Sequence, residues 1–137
     1  MVQGRTSTMR AQRDPEFHGK RLALRFAAVQ MGGAVLAAII VAVITGGSNA
    51  MATVAGGAVV AVGNLVFGWR LFAPGVAPAE RIAKAMWMGE GLKWLWVVVA
   101  VWLALGVSDL APLPFLLGML AGQVGFWVGV AVIKEDR

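Results

Sequence analysis

Four long apolar runs, separated by short polar breaks, dominate the pattern of hydrophobic and polar positions along the chain. A helix that crosses a membrane needs about 20 mostly apolar residues. The breaks read "GGSN" (46–49), "PGVAPAE" (74–80) and "SDLAP" (108–112), and none is long enough to hold a folded soluble domain. The pattern therefore predicts four transmembrane helices, which cover approximately residues 22–45, 51–73, 83–107 and 113–133.

Links this short make consecutive helices antiparallel neighbours. The sequence thus predicts an all-α integral membrane protein with four transmembrane helices in two antiparallel hairpins. We expect a basic polar N-terminal tail at residues 1–21 and one membrane domain at residues 22–137.

The basic residues indicate how the chain is oriented. Of the 12 Lys and Arg residues, all except Lys93 fall near the N-terminus, in the second link or at the C-terminus. Cytoplasmic loops carry an excess of Lys and Arg. We therefore expect both termini to be cytoplasmic, with the basic residues facing anionic lipid head groups. No basic face is interleaved with exposed aromatic residues, so nucleic acid is not expected as a partner.

Composition supports the membrane class and argues against catalysis. Hydrophobic residues make up 59% of the 137 residues and charged residues 14%, with a mean hydropathy of +0.77. A soluble domain has about 45–50% apolar and about 25% charged residues. The chain has no cysteine, and its one histidine, His18, lies in the polar tail. Because no nucleophile stands with a base and no ligand cluster occurs, we predict no enzyme, no cofactor and no metal site.

Five strongly polar side chains fall inside the predicted helices, in the cytoplasmic half or near the midplane: Gln30, Asn64, Glu90, Lys93 and Gln123. Such residues are expensive in hydrocarbon and usually face the helix bundle or a partner. Glu90 and Lys93 are three residues apart and are neighbours on one face of the third helix. Two interpretations stay open. The two residues form a self-neutralising ion pair, or one of them meets a partner's charge or carries an ion.

Small residues recur at helical spacing, most fully on the fourth helix. There a glycine stripe is formed by Gly118, Gly122, Gly125 and Gly129. Small residues let membrane helices approach closely. The stripe predicts either internal packing of the four helices or a docking surface for another small-residue helix.

Three segments carry a resemblance to a known family: "GGAVVAVGNLVFGWRLF" (56–72), "MGEGLKWLWVVV" (88–99) and "LPFLLGMLAGQVGFWVGVAVI" (113–133). In order and spacing they resemble ATP synthase protein I, the small membrane protein encoded with the bacterial F-type ATP synthase. The matching residues are Gly56, Gly57, Asn64, Phe67, Trp69, Gly89, Glu90, Lys93 and Gln123. Family members often have Pro where this chain has Gly63.

The resemblance implies a membrane chaperone of the bacterial inner membrane, which helps c subunits form the rotor ring without remaining as a stoichiometric part. Subunit c, a glycine-rich helical hairpin with a carboxylate near mid-membrane, is then the transient partner. We expect the glycine stripe to pack against it and Lys93 to meet its carboxylate. Glu90 would hold Lys93 charged and in place until that partner binds.

A magnesium-uptake role has also been suggested for the family, which gives an alternative: a small cation channel or transporter that acts as an oligomer. Glu90, Asn64, Gln30 and Gln123 would line its polar route. Against this alternative, the outer half of the spans has no polar residue to complete the path, apart from Asp109 at its mouth. The sequence leaves open whether the protein is a monomer or a homo-oligomer.

Overall fold

The computed structural model of the protein describes residues 15–135, and the side chains of residues 19–132. Part of the predicted basic tail, with Arg5, Arg10 and Arg13, lies outside the described residues. The same holds for Arg137 and for the side chains of His18 and Lys134.

Over this part of the chain the protein is all-helical, as predicted. The helices are α1 (Pro15–Thr45), α2 (Gly47–Phe72), α3 (Ala79–Trp102) and α4 (Pro112–Glu135), and a π-helical segment (Leu103–Val107) extends α3. All four are long and apolar enough to cross a membrane. The four apolar runs of the sequence therefore correspond to four helices of the structure.

The link between α1 and α2 is shorter than the break at 46–49 suggested. Only Gly46 is non-helical there, with φ 102° and ψ 169°. That backbone conformation is open to glycine because it has no Cβ. One such residue reverses the chain, so Ser48 and Asn49 belong to the first turn of α2.

Two other helices begin earlier than predicted. The first already includes Pro15, the first residue that the structure describes, inside the expected polar tail, and the third begins at Ala79, directly after Pro78. Proline restricts the residue before it and fits the start of a helix. The second link therefore narrows to the residues between Phe72 and Ala79, where Gly75 takes a φ of 59°.

Helix α2 is the centre of the packing, since it contacts each of the other three helices. Helices α1 and α4 also contact each other, whereas α3 contacts mainly α2. Accordingly 44% of the membrane span of α2 is buried inside the protein, against 6% of the span of α3. Helices α1, α2 and α4 form what we call the three-helix core. Helix α3 packs on it mainly through α2, and its Ala100 belongs to the buried hydrophobic cluster.

Small residues bring the core helices close together. Gly57 of α2 packs on Ala34 of α1, and further along α2 Gly68 packs on Ala23. Gly56 packs on the backbone of Phe115 in α4. Lipid supplies no hydrophobic drive between helices, so close backbone contacts of this kind hold membrane helices together.

Large apolar side chains cover the outside of the helices, which suits a lipid environment rather than water. The most exposed on α1 are Val43 at 83% and Ile44 at 73%, and on α3 Trp87 at 75%. The buried interior consists of small residues together with Phe115, Gln30 and Thr53.

Candidate functional site

A cavity of about 230 Å³ opens where the four helices meet, and three of the predicted polar residues line it. These are Asn64 of α2, Lys93 of α3 and Gln123 of α4. We refer to it as the Lys93 cavity. Its remaining walls are apolar and include four aromatic rings: Leu22, Ala23, Phe26, Ala27, Phe67, Gly68, Leu71, Phe72 and Phe126.

Lys93 reaches the cavity because α3 lies close to α2 at Gly63. A Cβ atom on Gly63 would lie 3.4 Å from Cγ of Lys93 and 3.4 Å from the ring of Trp96, which is the distance of close van der Waals contact. The Lys93 ammonium lies 6.0 Å from the centre of the Phe67 ring. A cation at that distance over an aromatic face is attracted to it. Gly63 therefore lies next to the side chain of the charged residue.

Glu90 does not pair with Lys93, which corrects the expectation of a self-neutralising unit. Its carboxylate oxygen Oε1 accepts a hydrogen bond of 3.0 Å from Nε1 of Trp94. Among the side chains that the structure describes, no ion pair joins Glu90 to Lys93. Trp94 lies four residues after Glu90 on the same helix face, and its indole takes the place that Lys93 was expected to occupy. Glu90 therefore does not hold Lys93 in position here.

The predicted polar cluster of Gln30, Asn64 and Gln123 is split. Gln30 is fully buried in the three-helix core, and Gly125 of α4 leaves room for its backbone. Neither Nε2 nor Oε1 of Gln30 has a hydrogen-bond partner, and Nδ2 of Asn64 is also buried without one. A buried amide without a partner costs free energy. Asn64 and Gln123 thus belong to the Lys93 cavity, and Gln30 is a separate polar site inside the core.

The glycine stripe packs against other helices of the same chain. Gly118 packs on Thr53 and Gly122 on Gly57, both in α2. Gly125 and Gly129 pack against α1, at Gln30 and Phe26. All four glycines of the stripe are buried. This corrects the expectation that the stripe is a free docking surface. In the folded chain the stripe packs the helices of the protein together, which was the other alternative.

The motif glycines also have packing roles. Gly56 and Gly57 lie at the crossing of α2 with α4 and α1. Gly89 lies where α3 passes α2, and a Cβ atom there would be 3.2 Å from Cβ of Arg70 and 3.2 Å from the ring of Phe67. The residues of the sequence motif thus hold together the helices that form the cavity.

The aromatic wall of the cavity is a feature that the sequence analysis missed. Phe26 of α1 and Phe126 of α4 lie with ring centres 5.6 Å apart and planes inclined by 40°. Phe67, already matched to the motif, faces Lys93 from α2. The rings come from three different helices, so no spacing along the sequence could have grouped them.

A comparison with protein families supports the resemblance. A family model described as "ATP synthase I chain" matches residues 25–120. This segment includes Gln30, Asn64, Glu90 and Lys93, and it extends into α1, beyond the three segments that carry the resemblance. No curated protein and no solved structure matches the chain.

Proposed function

We propose that this chain, which belongs to the ATP synthase I chain family, is a membrane assembly factor for the F-type ATP synthase. In this proposal it assists subunit c in forming the rotor ring and then dissociates. It acts by binding rather than by catalysis, as an accessory membrane protein.

Lys93 is the observation that supports the proposal most directly. Lys93 belongs to a membrane-spanning helix and lines a largely apolar cavity, and its ammonium group lies 6.0 Å from the centre of the Phe67 ring rather than beside a carboxylate. Charged side chains at such positions usually pair with another charge or mark a functional site. Since Glu90 accepts a hydrogen bond from Trp94 instead, we propose that a partner supplies the carboxylate that neutralises Lys93. Subunit c carries one near mid-membrane.

The proposed contact is weak, which suits an assembly factor. Interhelical polar contacts in membranes contribute about 0.6 kcal/mol on average. A single charge contact of that order, added to packing on an exposed helix, gives reversible binding. Helix α3 provides such a helix, because most of its surface is not covered by the rest of the protein.

We further propose the orientation and location expected from the sequence. Arg70, Arg81 and Lys84 flank the second link, while Gly46 and the segment 108–111 carry no base. The positive-inside rule then places both termini in the cytoplasm, with two antiparallel hairpins in the bacterial inner membrane.

The cation-channel alternative has less support from the same cavity. Of its lining residues, the one that carries a charge is Lys93, which repels cations. Glu90, the acid expected to attract them, is not among the lining residues.

Complementation of a strain that depends on this protein tests the proposal. Ring formation would be measured by native gel electrophoresis of solubilised membranes. We expect Lys93→Met to lose most of the ring and Lys93→Arg, the matched control that keeps the charge, to retain it. Equal amounts of each variant in the membrane, measured by immunoblotting, exclude a loss of the protein itself.

A second arm tests the partner. Subunit c should co-purify with the wild-type chain, and less of it should co-purify with Lys93→Met. Less should also co-purify when the carboxylate of subunit c is changed to the amide. Because both changes remove the same contact, their effects should not add. Normal ring formation and co-purification with Lys93→Met would refute the proposed role of Lys93.

A further inference from the structure

We propose that the turn between α2 and α3 contains a binding site for the headgroup of an anionic phospholipid, held by Arg70, Arg81 and Lys84. These three residues line one cavity of about 200 Å³, together with Ala73, Pro74, Ala85 and Met88. We call it the basic pocket. It is separate from the Lys93 cavity, with which it shares no lining residue.

Local structure brings the three bases together. Arg70 lies two residues before the end of α2, and Arg81 and Lys84 lie one turn apart at the start of α3. The reversal at Gly75, with its φ of 59°, folds the two helix ends towards each other. Gly89 allows α3 to pass close to Arg70, since a Cβ atom on Gly89 would lie 3.2 Å from Cβ of Arg70.

The pocket has a strong positive charge. No acidic residue is among the residues that line it. Three like charges around one small cavity repel each other, and a bound anion removes that repulsion. Guanidinium groups bind phosphate oxygens through two parallel hydrogen bonds, and an ammonium group adds a point charge. The chemistry of the pocket is therefore that of a phosphate receptor.

Position and shape select a lipid phosphate over a soluble one. The pocket lies between the end of one membrane-spanning helix at Phe72 and the start of the next at Ala79, at the level of a membrane surface. Ala85 and Met88 form an apolar wall further along α3, in the direction of the hydrocarbon. A headgroup held by the bases can thus leave its acyl chain along this wall. Basic pockets on membrane helices at the cytoplasmic surface bind anionic head groups in this way.

Native mass spectrometry of the full-length protein, released from nanodiscs of equal phosphatidylglycerol and phosphatidylcholine, tests the site. The quantity measured is the ratio of the two lipids that stay bound. One basic residue near an anionic surface contributes about fivefold in affinity. We expect the wild-type chain to retain phosphatidylglycerol and R70Q/R81Q/K84Q to lose at least about tenfold of that preference.

The control is R5Q/R10Q/R13Q, which removes the same number of charges from the N-terminal tail and should keep the preference. An equal loss in both triple variants would overturn the proposal, because net charge and not the pocket would explain it. The double variant R81Q/K84Q, which leaves the packed Arg70 unchanged, should still lose part of the preference. Helix content measured by circular dichroism shows that each variant is folded.

Glycerol 3-phosphate distinguishes the two sources of the phosphate. At the same concentration as the lipid, it should not displace phosphatidylglycerol from the wild-type chain. Displacement would overturn the lipid assignment, since the phosphate alone would then account for binding.

Discussion

Replacing Gly118 with alanine is expected to destabilise the protein, because α4 meets α2 backbone to backbone at this residue. A Cβ atom on Gly118 would overlap the carbonyl oxygen of Thr53 and lie 2.9 Å from its Cα atom. No flexible side chain is present there to rotate away. The backbones of the two helices must therefore move apart, and this weakens the contacts on both sides of Gly118.

Two opposing effects set how much Gly118→Ala changes the free energy of unfolding. Alanine favours a helix over glycine by about 1 kcal/mol. Overpacking of a close contact costs about 1–3 kcal/mol, and a clash with backbone atoms costs an amount near the upper end of that range. We therefore expect Gly118→Ala to lower the free energy of unfolding by about 1–2 kcal/mol. The matched control is Gly91→Ala on α3, where a Cβ atom would meet nothing within 4 Å. That variant should be more stable by up to about 1 kcal/mol.

Unfolding in mixed micelles with increasing dodecyl sulfate, followed by circular dichroism, measures both variants against the wild-type chain. The difference between the two variants should be about 1–3 kcal/mol. If Gly118→Ala instead gained as much stability as Gly91→Ala, α4 would not pack on α2 as described. The glycine stripe would then be free to act as a docking surface after all.

Two further variants test the first link and the core in the same unfolding assay. Gly46→Ala should cost about 1–3 kcal/mol, because the φ of 102° and ψ of 169° are available almost only to glycine. Gly47→Ala is the control, since Gly47 is helical and nothing lies within 4 Å of its Cβ position. If both variants lost the same stability, the one-residue link would be contradicted. Gln30→Met should raise stability by about 1–2 kcal/mol, because it removes two buried amide atoms without partners. The control is Gln123→Met, at an exposed residue, which should change the stability little. A loss of stability in Gln30→Met would contradict the conclusion that the Gln30 amide has no hydrogen-bond partner.

The number and type of the helices could be predicted from the sequence because apolar run length decides whether a segment spans a membrane. Helix ends were less predictable. The break "GGSN" contains four residues that favour turns, yet only Gly46 leaves the helical conformation. A single glycine with a left-handed backbone is enough to reverse the chain, and Ser48 and Asn49 are compatible with a first helical turn.

The sequence singled out Asn64, Lys93 and Gln123, which line the Lys93 cavity, but it did not show which side chains lie next to one another. Spacing along α3 predicted Glu90 and Lys93 as neighbours, and it could not show that each lies next to a different aromatic side chain. Trp94 is four residues from Glu90, whereas Phe67, which Lys93 contacts, comes from α2. The second contact depends on how two helices cross, which the pattern along one helix does not contain.

The same limit explains why the glycine stripe was ambiguous. Spacing shows that Gly118 and Gly122 lie on one narrow face of the fourth helix, but it does not show which helix covers that face. In the structure, α2 covers Gly118 and Gly122, and α1 covers the rest of the stripe. Small residues predict a close contact well, but they do not identify the partner.

The distribution of packing and charge supports the proposal that α3 is the helix that binds a partner. The glycines of α2 and α4 are used within the three-helix core, while α3 contacts mainly α2. One bond that joins α3 to α2 is donated by the indole of Trp96 to the Val59 carbonyl oxygen, at 3.0 Å. Glu90 and Lys93 both lie on this lightly packed helix. We propose that a partner helix binds on the uncovered face of α3, which leaves the contacts among α1, α2 and α4 in place. Binding that leaves the core in place suits the reversible assembly factor proposed above.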